Sequence, residues 1–207
     1  MLIFSEKNTA TATANMYIFL HIPKNSGRYM RNQICIKFDT HNCPINNNNI
    51  SLLDIINNEF KVHCNYITIK QFYPTNYKII TFIRNPYDRC ISIFFHVYKI
   101  FESIDNFKKF LKTQLNNFLE LDEYHKFWFK PQVDYILNSD GEIPNDITIY
   151  KLEEYTSESE VGKFLQFEDF QLKKYDYSLY LDTECITIIN KVYDNDFTVL
   201  SYEKIIV

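Results

Sequence analysis

The sequence predicts a single α/β domain with a central parallel β-sheet flanked by helices, and three observations carry that prediction. Short apolar, β-branched runs occur at residues 16–22, 77–83 and 147–152. The first two each end in a tight polar turn and pass into a helix-periodic segment, the strand–turn–helix pattern of α/β folds. At 207 residues the chain has the length of one domain, and no internal repeat or linker divides it.

The elements follow in order. Residues 1–15, with "TATATAN", are small and polar without a sustained apolar period, and are expected to form a flexible N-terminal tail ahead of a domain spanning 16–207. The run 16–22 reads as a buried strand. "PKNSGR" (23–28) then makes a corner, and it carries one of only three glycines in the chain. From about 28 to 38, Met30, Ile34 and Phe38 recur at helical spacing. "THNCPINNNNI" reads as a loop, and Leu52, Leu53, Ile55 and Ile56 suggest a short helix after it.

Residues 77–83 are almost continuously apolar, as in a parallel strand covered on both faces. Asn85 suits an N-cap, Pro86 the first helical position, and Asp88 the first turn, where the helix dipole favours a negative charge. A helix through Ile91, Phe94, Phe95 and Tyr98 follows. Ile104, Phe107, Leu111, Leu115 and Phe118 form the apolar stripe of an amphipathic helix, with Lys108, Lys109 and Lys112 mainly off it. The strand 147–152 leads into Glu153 and Glu154. "SESEVGKFLQF" reads as a short helix, and "ECITIINKVYDNDF" as a closing helix carrying Ile186, Ile189, Tyr193 and, just past it, Phe197.

Composition narrows the function. The net charge of −4 argues against general nucleic-acid binding, which needs a clustered excess of Lys and Arg. No apolar stretch approaches a membrane span, and the first residues lack a signal-peptide pattern, so the chain reads as soluble and cytoplasmic. Five cysteines at irregular spacing do not suggest a disulfide framework. His41, Cys43, His63 and Cys64 contain no CxxC pair and straddle the asparagine tract, so packed, reduced thiols without a metal are expected.

Both corners, "PKNSGR" and "RNPYD", are suited to anions. Helix N-termini there offer unsatisfied N–H groups and the positive end of a dipole, to which Lys24, Arg28 and Arg84 add charge. Two such corners suggest a ligand with two separated anionic groups.

Four segments carry a resemblance. "HIPKNSGRYM" is similar to the H-I-P-K-T-G-G-T-S segment, and "FIRNPYDRCISIFF" to the F-V-R-N-P-Y-D-R-x-x-S-x-Y segment, of the sulfotransferases that act on carbohydrates and related acceptors. "KPQVDYI" resembles their P-Q-x-x-Y stretch, and "YDNDFTVLSY" their closing Y-x-x-D-F-x-x-x-x-Y. The resemblance implies a P-loop-kinase-like sulfotransferase fold that uses 3′-phosphoadenosine-5′-phosphosulfate (PAPS) as donor, without a metal, and releases 3′-phosphoadenosine-5′-phosphate (PAP). It implies that Lys24 contacts the sulfate and its bridging oxygen, with Asn25, Ser26, Gly27 and Arg28 completing the cradle. Arg84 and Ser92 would hold the 3′-phosphate.

The resemblance also implies a catalytic histidine in some members just before the Arg84 strand, which makes His63, in "KVHCNYITIKQF", the position expected to supply the general base for the acceptor hydroxyl, most plainly that of a glycan. His21, Glu153 and Glu154 are further candidates, while His96 and His125 have only position in their favour. Ser26 stands where the family has a glycine, and Arg28 and Tyr29 replace small hydroxyl residues. That departure keeps open a second reading, a sulfotransferase-fold protein that binds nucleotide or glycan and transfers little. A P-loop kinase relative is the third, against which the absence of GxxxxGK[ST] counts. The oligomeric state is left open.

Overall fold

The computed structural model describes residues 2–5, 16–41, 63–74, 77–99 and 103–207. The short helix expected at 52–56 and the asparagine tract lie outside them. The chain folds as an α/β domain in which contacts define two compact units, Met1–Ile83 with Tyr135–Gln171, and Arg84–Asp134 with Leu172–Val207.

The first unit is built on a five-stranded sheet: β1 (Leu2–Ser5), β2 (Met16–Leu20), β3 (Asp39–His41), β4 (Tyr77–Ile83) and β5 (Ile147–Lys151), in the order β3-β1-β2-β4-β5. Strands β2, β4 and β5 are parallel, in register from Met16↔Tyr77 to Leu20↔Thr81 and from Ile79↔Ile147 to Ile83↔Lys151. The Thr81 hydroxyl, fully buried in β4, is satisfied by donating to the Leu20 carbonyl at 2.8 Å.

The sheet is parallel only on this side. β1 and β3 extend it with antiparallel pairings, which the sequence reading did not anticipate. The expected flexible tail is corrected here in its first residues: Leu2, Ile3, Phe4 and Ser5 are all buried and pair with residues 16–19. Four residues are too few to display a period, so only the pairing partner reveals the strand. The loop expected at 40–50 likewise begins later, because Thr40 and His41 belong to β3.

Helix α1 (Gly27–Lys37) buries Met30 and Ile34 completely, matching the predicted stripe to within a residue at each end. Helix α2 (Tyr66–Phe72) was not foreseen. Asn65 caps it by accepting from the Thr68 N–H at 2.9 Å. The Tyr66 hydroxyl and the Lys70 ammonium both donate to Asp146 at 2.8 Å, tying the helix to the start of β5.

The second unit is helical. In α3 (Pro86–Val97), Asn85 accepts from the Tyr87 N–H at 3.0 Å, Pro86 opens the helix and Asp88 lies in its first turn, as predicted. The Phe94 ring meets Phe107 and Phe110 at centroid distances of 5.2 and 5.5 Å, forming the centre of an aromatic core. The long amphipathic helix breaks in two: Ile104–Thr113 is α-helical, and Leu115–Glu120 is a 3₁₀ turn in which Asn117 leaves helical geometry. The two adjacent asparagines are weak helix formers, while the apolar stripe persists because Leu115 stays buried. The closing helix also divides at Tyr193, into Thr183–Val192 and Asp194–Val199. Among the described residues no helix is long and apolar enough to cross a membrane.

Candidate functional site

The chain leaves β2 and enters the first corner through His21 and Ile22, both buried. Lys24 has φ 65° and Ser26 φ 55°, so two non-glycine residues of one corner adopt the left-handed conformation. Each costs about 1–2 kcal/mol relative to right-handed backbone, so the surroundings must hold them there. Asn25 is one holding group. It is 1% exposed, and its side-chain amide donates to the Phe82 carbonyl at 2.8 Å, near the end of β4. Asn25 therefore contributes its backbone to the corner, and its side chain serves as an internal tie.

Gly27 is the other constraint. A Cβ on this residue would lie 1.7 Å from both Cδ2 and Nε2 of His21, so only glycine admits the imidazole. The reason for this glycine is room for a ring, since the positive φ angles fall on its neighbours. Ser26 is the N-cap of α1 but makes no side-chain cap. The N–H groups opening α1 thus receive no oxygen from it, which suits an anion site. Lys24 is half-buried at this turn and Arg28 is exposed on the first turn of α1. Tyr29 turns elsewhere, donating to the Glu168 carbonyl at 3.3 Å and packing on Phe170 at 4.8 Å.

Two imidazoles back the corner. The His21 and His63 rings lie 4.1 Å apart, and His63 Nδ1 is 2.7 Å from the His21 carbonyl oxygen. A carbonyl only accepts, so Nδ1 carries the proton, and in the neutral ring Nε2 carries the lone pair. His21 is stacked on Phe19 and is 8% exposed, and its Nδ1 has no hydrogen-bond partner.

Burial first, then the nearby His63, Arg31 and Arg28, holds the His21 pKa well below its ordinary 6.5. The folded chain therefore keeps this ring neutral while the unfolded chain protonates it below that value. Stability is retained above pH 6.5 and lost as pH falls below it, at a slope approaching about 1.4 kcal/mol per pH unit. Denaturant titrations at pH 7.5 and 5.5 (roughly one unit either side of an ordinary histidine) are expected to show this loss. His21→Phe, which retains a stacked ring, is expected to flatten it; an unchanged slope in that variant would assign the pH dependence to another group.

The second corner begins where β4 ends. Arg84 is 4% exposed; its Nη2 donates to the Lys173 carbonyl at 2.5 Å, and its guanidinium carbon lies 5.9 Å from the centre of the Tyr175 ring. The Lys173 ammonium sits 4.9 Å from the same ring. Ser92, further along α3, lies near the Tyr175 phenol. Burial raises the phenol's pKa, while Ser92 and Arg84 oppose that rise, so it stays a neutral O–H at physiological pH. The structure thus gathers Arg84 and Ser92, both singled out from sequence, around Tyr175. Lys173 and Tyr175 had no motif to identify them as part of this cluster.

The backbone of Arg84 is held from two sides. Gln132 Oε1 accepts from the Arg84 N–H at 2.9 Å, and Gln132 Nε2 donates to the Arg84 carbonyl at 2.8 Å. Asp196 in turn accepts from the main-chain N–H groups of Gln132 and Val133 at 2.9 and 3.0 Å, and from Gln132 Nε2 at 3.3 Å. Gln132 and Asp196 are both 0% exposed. Burial raises the Asp196 pKa; Arg89 and the hydrogen bonds from Gln132 and Val133 pull it back. Arg89 itself donates to the carbonyls of Lys130 and Trp128.

The remaining candidates have separate settings. Glu154 is exposed and pairs with Lys151 at 3.8 Å, and Glu153 is half-buried on the same 3₁₀ turn. His96 lies edge-on to Trp128 at 4.9 Å. His125 bridges the Tyr98 hydroxyl and the Asp122 carboxylate, both at 2.6 Å, within the second unit. No group of three metal-ligating side chains occurs among the described residues; Cys43 lies outside them.

No family model matches this chain, and neither a curated protein nor a solved structure does.

Proposed function

We propose that this chain is a PAPS-dependent sulfotransferase acting on a hydroxyl group, most simply that of a glycan. The observation that carries the reading is the junction at Arg84. Three of the four segments that resemble the sulfotransferases converge there: Arg84 from the second, Gln132 from the third and Asp196 from the fourth. Segments matching by chance would have no reason to share one buried hydrogen-bond network.

In this reading the first corner receives the 5′-phosphosulfate. Lys24 neutralises the charge that builds on the leaving phosphate oxygen, and the backbone of Ser26, Gly27 and Arg28 offers N–H donors, while the Asn25 N–H donates to the Ile22 carbonyl at 3.4 Å and Asn25 shapes the cradle. Two strained non-glycine residues at one turn are the kind of outlier that function retains. Arg84 and Ser92 receive the 3′-phosphate. His63 takes the acceptor proton at Nε2, the nitrogen that bears the lone pair in the neutral tautomer held by the His21 carbonyl. By analogy with phosphoryl transfer, these groups chiefly position the reactants and stabilise charge in an in-line displacement.

A second reading, a relative that binds the nucleotide and transfers little, is favoured by Tyr29. Its hydroxyl is directed to Glu168 and so does not replace the small hydroxyl the family carries there. Calorimetry tests the shared premise: PAP is expected to bind and ATP to bind much more weakly. Preference for ATP would point to a kinase-like site and overturn both readings.

A further inference from the structure

We infer that Gln132 and Asp196 are positioning residues that set the selectivity of the Arg84 corner for a nucleotide bearing a 3′-phosphate. The inference rests on the proposed donor and extends it to residues that touch neither phosphate.

The Gln132 side-chain amide grips the backbone of Arg84. It pairs with both the N–H and the C=O of a single residue, at 2.9 and 2.8 Å, much as a neighbouring strand would. Arg84 lies one residue beyond the end of β4, where ladder hydrogen bonding ceases. Without the amide, two buried backbone groups would lose their partner at the point where the chain turns into α3. The orientation of the Arg84 side chain, whose far end meets Tyr175 and Lys173, follows from that backbone.

Asp196 supplies rigidity to the amide. Its carboxylate takes both main-chain N–H groups at Gln132 and Val133 as well as the Gln132 amide, so the glutamine is held at its root and at its tip. A carboxylate at 0% exposure is a costly way to close a turn, and apolar packing commonly serves stability as well or better. What the carboxylate adds is directional: three donors converge on one fixed group. An arginine that must meet a phosphate in a defined geometry gains from that direction, because a misplacement of about 1 Å is already damaging.

The test compares PAP with 5′-AMP, which lacks the 3′-phosphate, by calorimetry on the full chain. The wild type is expected to bind PAP tighter by about 10- to 100-fold, the scale of charge-assisted hydrogen bonds. Gln132→Met preserves the side-chain length and removes both bonds to Arg84. It is expected to bring PAP affinity to within a few-fold of that for AMP, leaving AMP affinity unchanged. Asp196→Asn retains the shape and is expected to produce an intermediate loss, and it carries the test if the methionine variant does not fold. A folded variant that retains the wild-type PAP preference overturns the inference. So does an equal loss for both nucleotides, which would mark the pair as general scaffolding. A wild type that does not distinguish the two nucleotides would remove the proposed donor itself, a result separable from either of these.

Discussion

Lys24→Ala is expected to lower sulfuryl transfer from PAPS by about 10²–10³-fold, the scale seen when a donor to a developing oxyanion is removed. Most of the loss should fall on kcat, because the charge Lys24 meets grows between ground state and transition state. Stability should hardly change. Lys24 has φ 65°, and alanine pays the same steric penalty for that conformation, so the turn is no worse off. This separates a chemical role from a structural one without further variants. Lys24→Arg should rescue poorly, since a planar fork cannot take the place of a compact ammonium at a tight corner. Donor turnover, measured with a panel of hydroxyl acceptors, reads the effect. Transfer that survives Lys24→Ala unchanged would sink the proposed mechanism.

Gly27→Ala is expected to destabilise the chain by about 1–3 kcal/mol, the usual range for forcing an extra methyl group into a packed site. At about 2–4 °C per kcal/mol for a domain of this size, thermal melting should fall by several degrees. The cause is steric: the new carbon would overlap the His21 ring at 1.7 Å. The same substitution made in a His21→Ala background should therefore cost much less, and the double-mutant cycle measures that coupling. An equal penalty in both backgrounds would mean that the backbone at Gly27, and not the imidazole, sets the requirement. Gly27→Ala should also weaken PAP binding, because displacing His21 disturbs the turn that carries Lys24 and Ser26.

Much of the local structure was legible from residue order. The 77–83 run declared a covered strand, and Asn85, Pro86 and Asp88 marked the start of α3 in the positions the structure confirms. The stripes of α1 and of Ile104–Thr113 were equally plain, because each depends on a period within a dozen residues. Less legible were the elements whose signal lies in a partner. β1 is four apolar residues that mean little until they pair with β2, and α2 is pinned by Asp146, which lies 76 residues beyond Lys70.

The candidate site divides along the same line. Sequence alone determined that two strand–turn–helix corners exist and that Lys24, Arg28 and Arg84 bring cations to them, since charge and turn chemistry are properties of neighbouring residues. It also singled out the first corner's glycine, Gly27, and the family resemblance marked Ser26, Arg28 and Tyr29 as departures there, without a structural reason for either. Only the tertiary structure decided that Gly27 makes room for His21, that Asn25 faces inward to Phe82, and that the left-handed conformations fall on Lys24 and Ser26. It likewise joined Arg84 to Gln132, Asp196 and Tyr175, residues 48 to 112 positions away. The physical reason is the same throughout: backbone propensity and charge act over a few residues, whereas steric room and buried hydrogen-bond satisfaction are set by whatever the fold brings into contact.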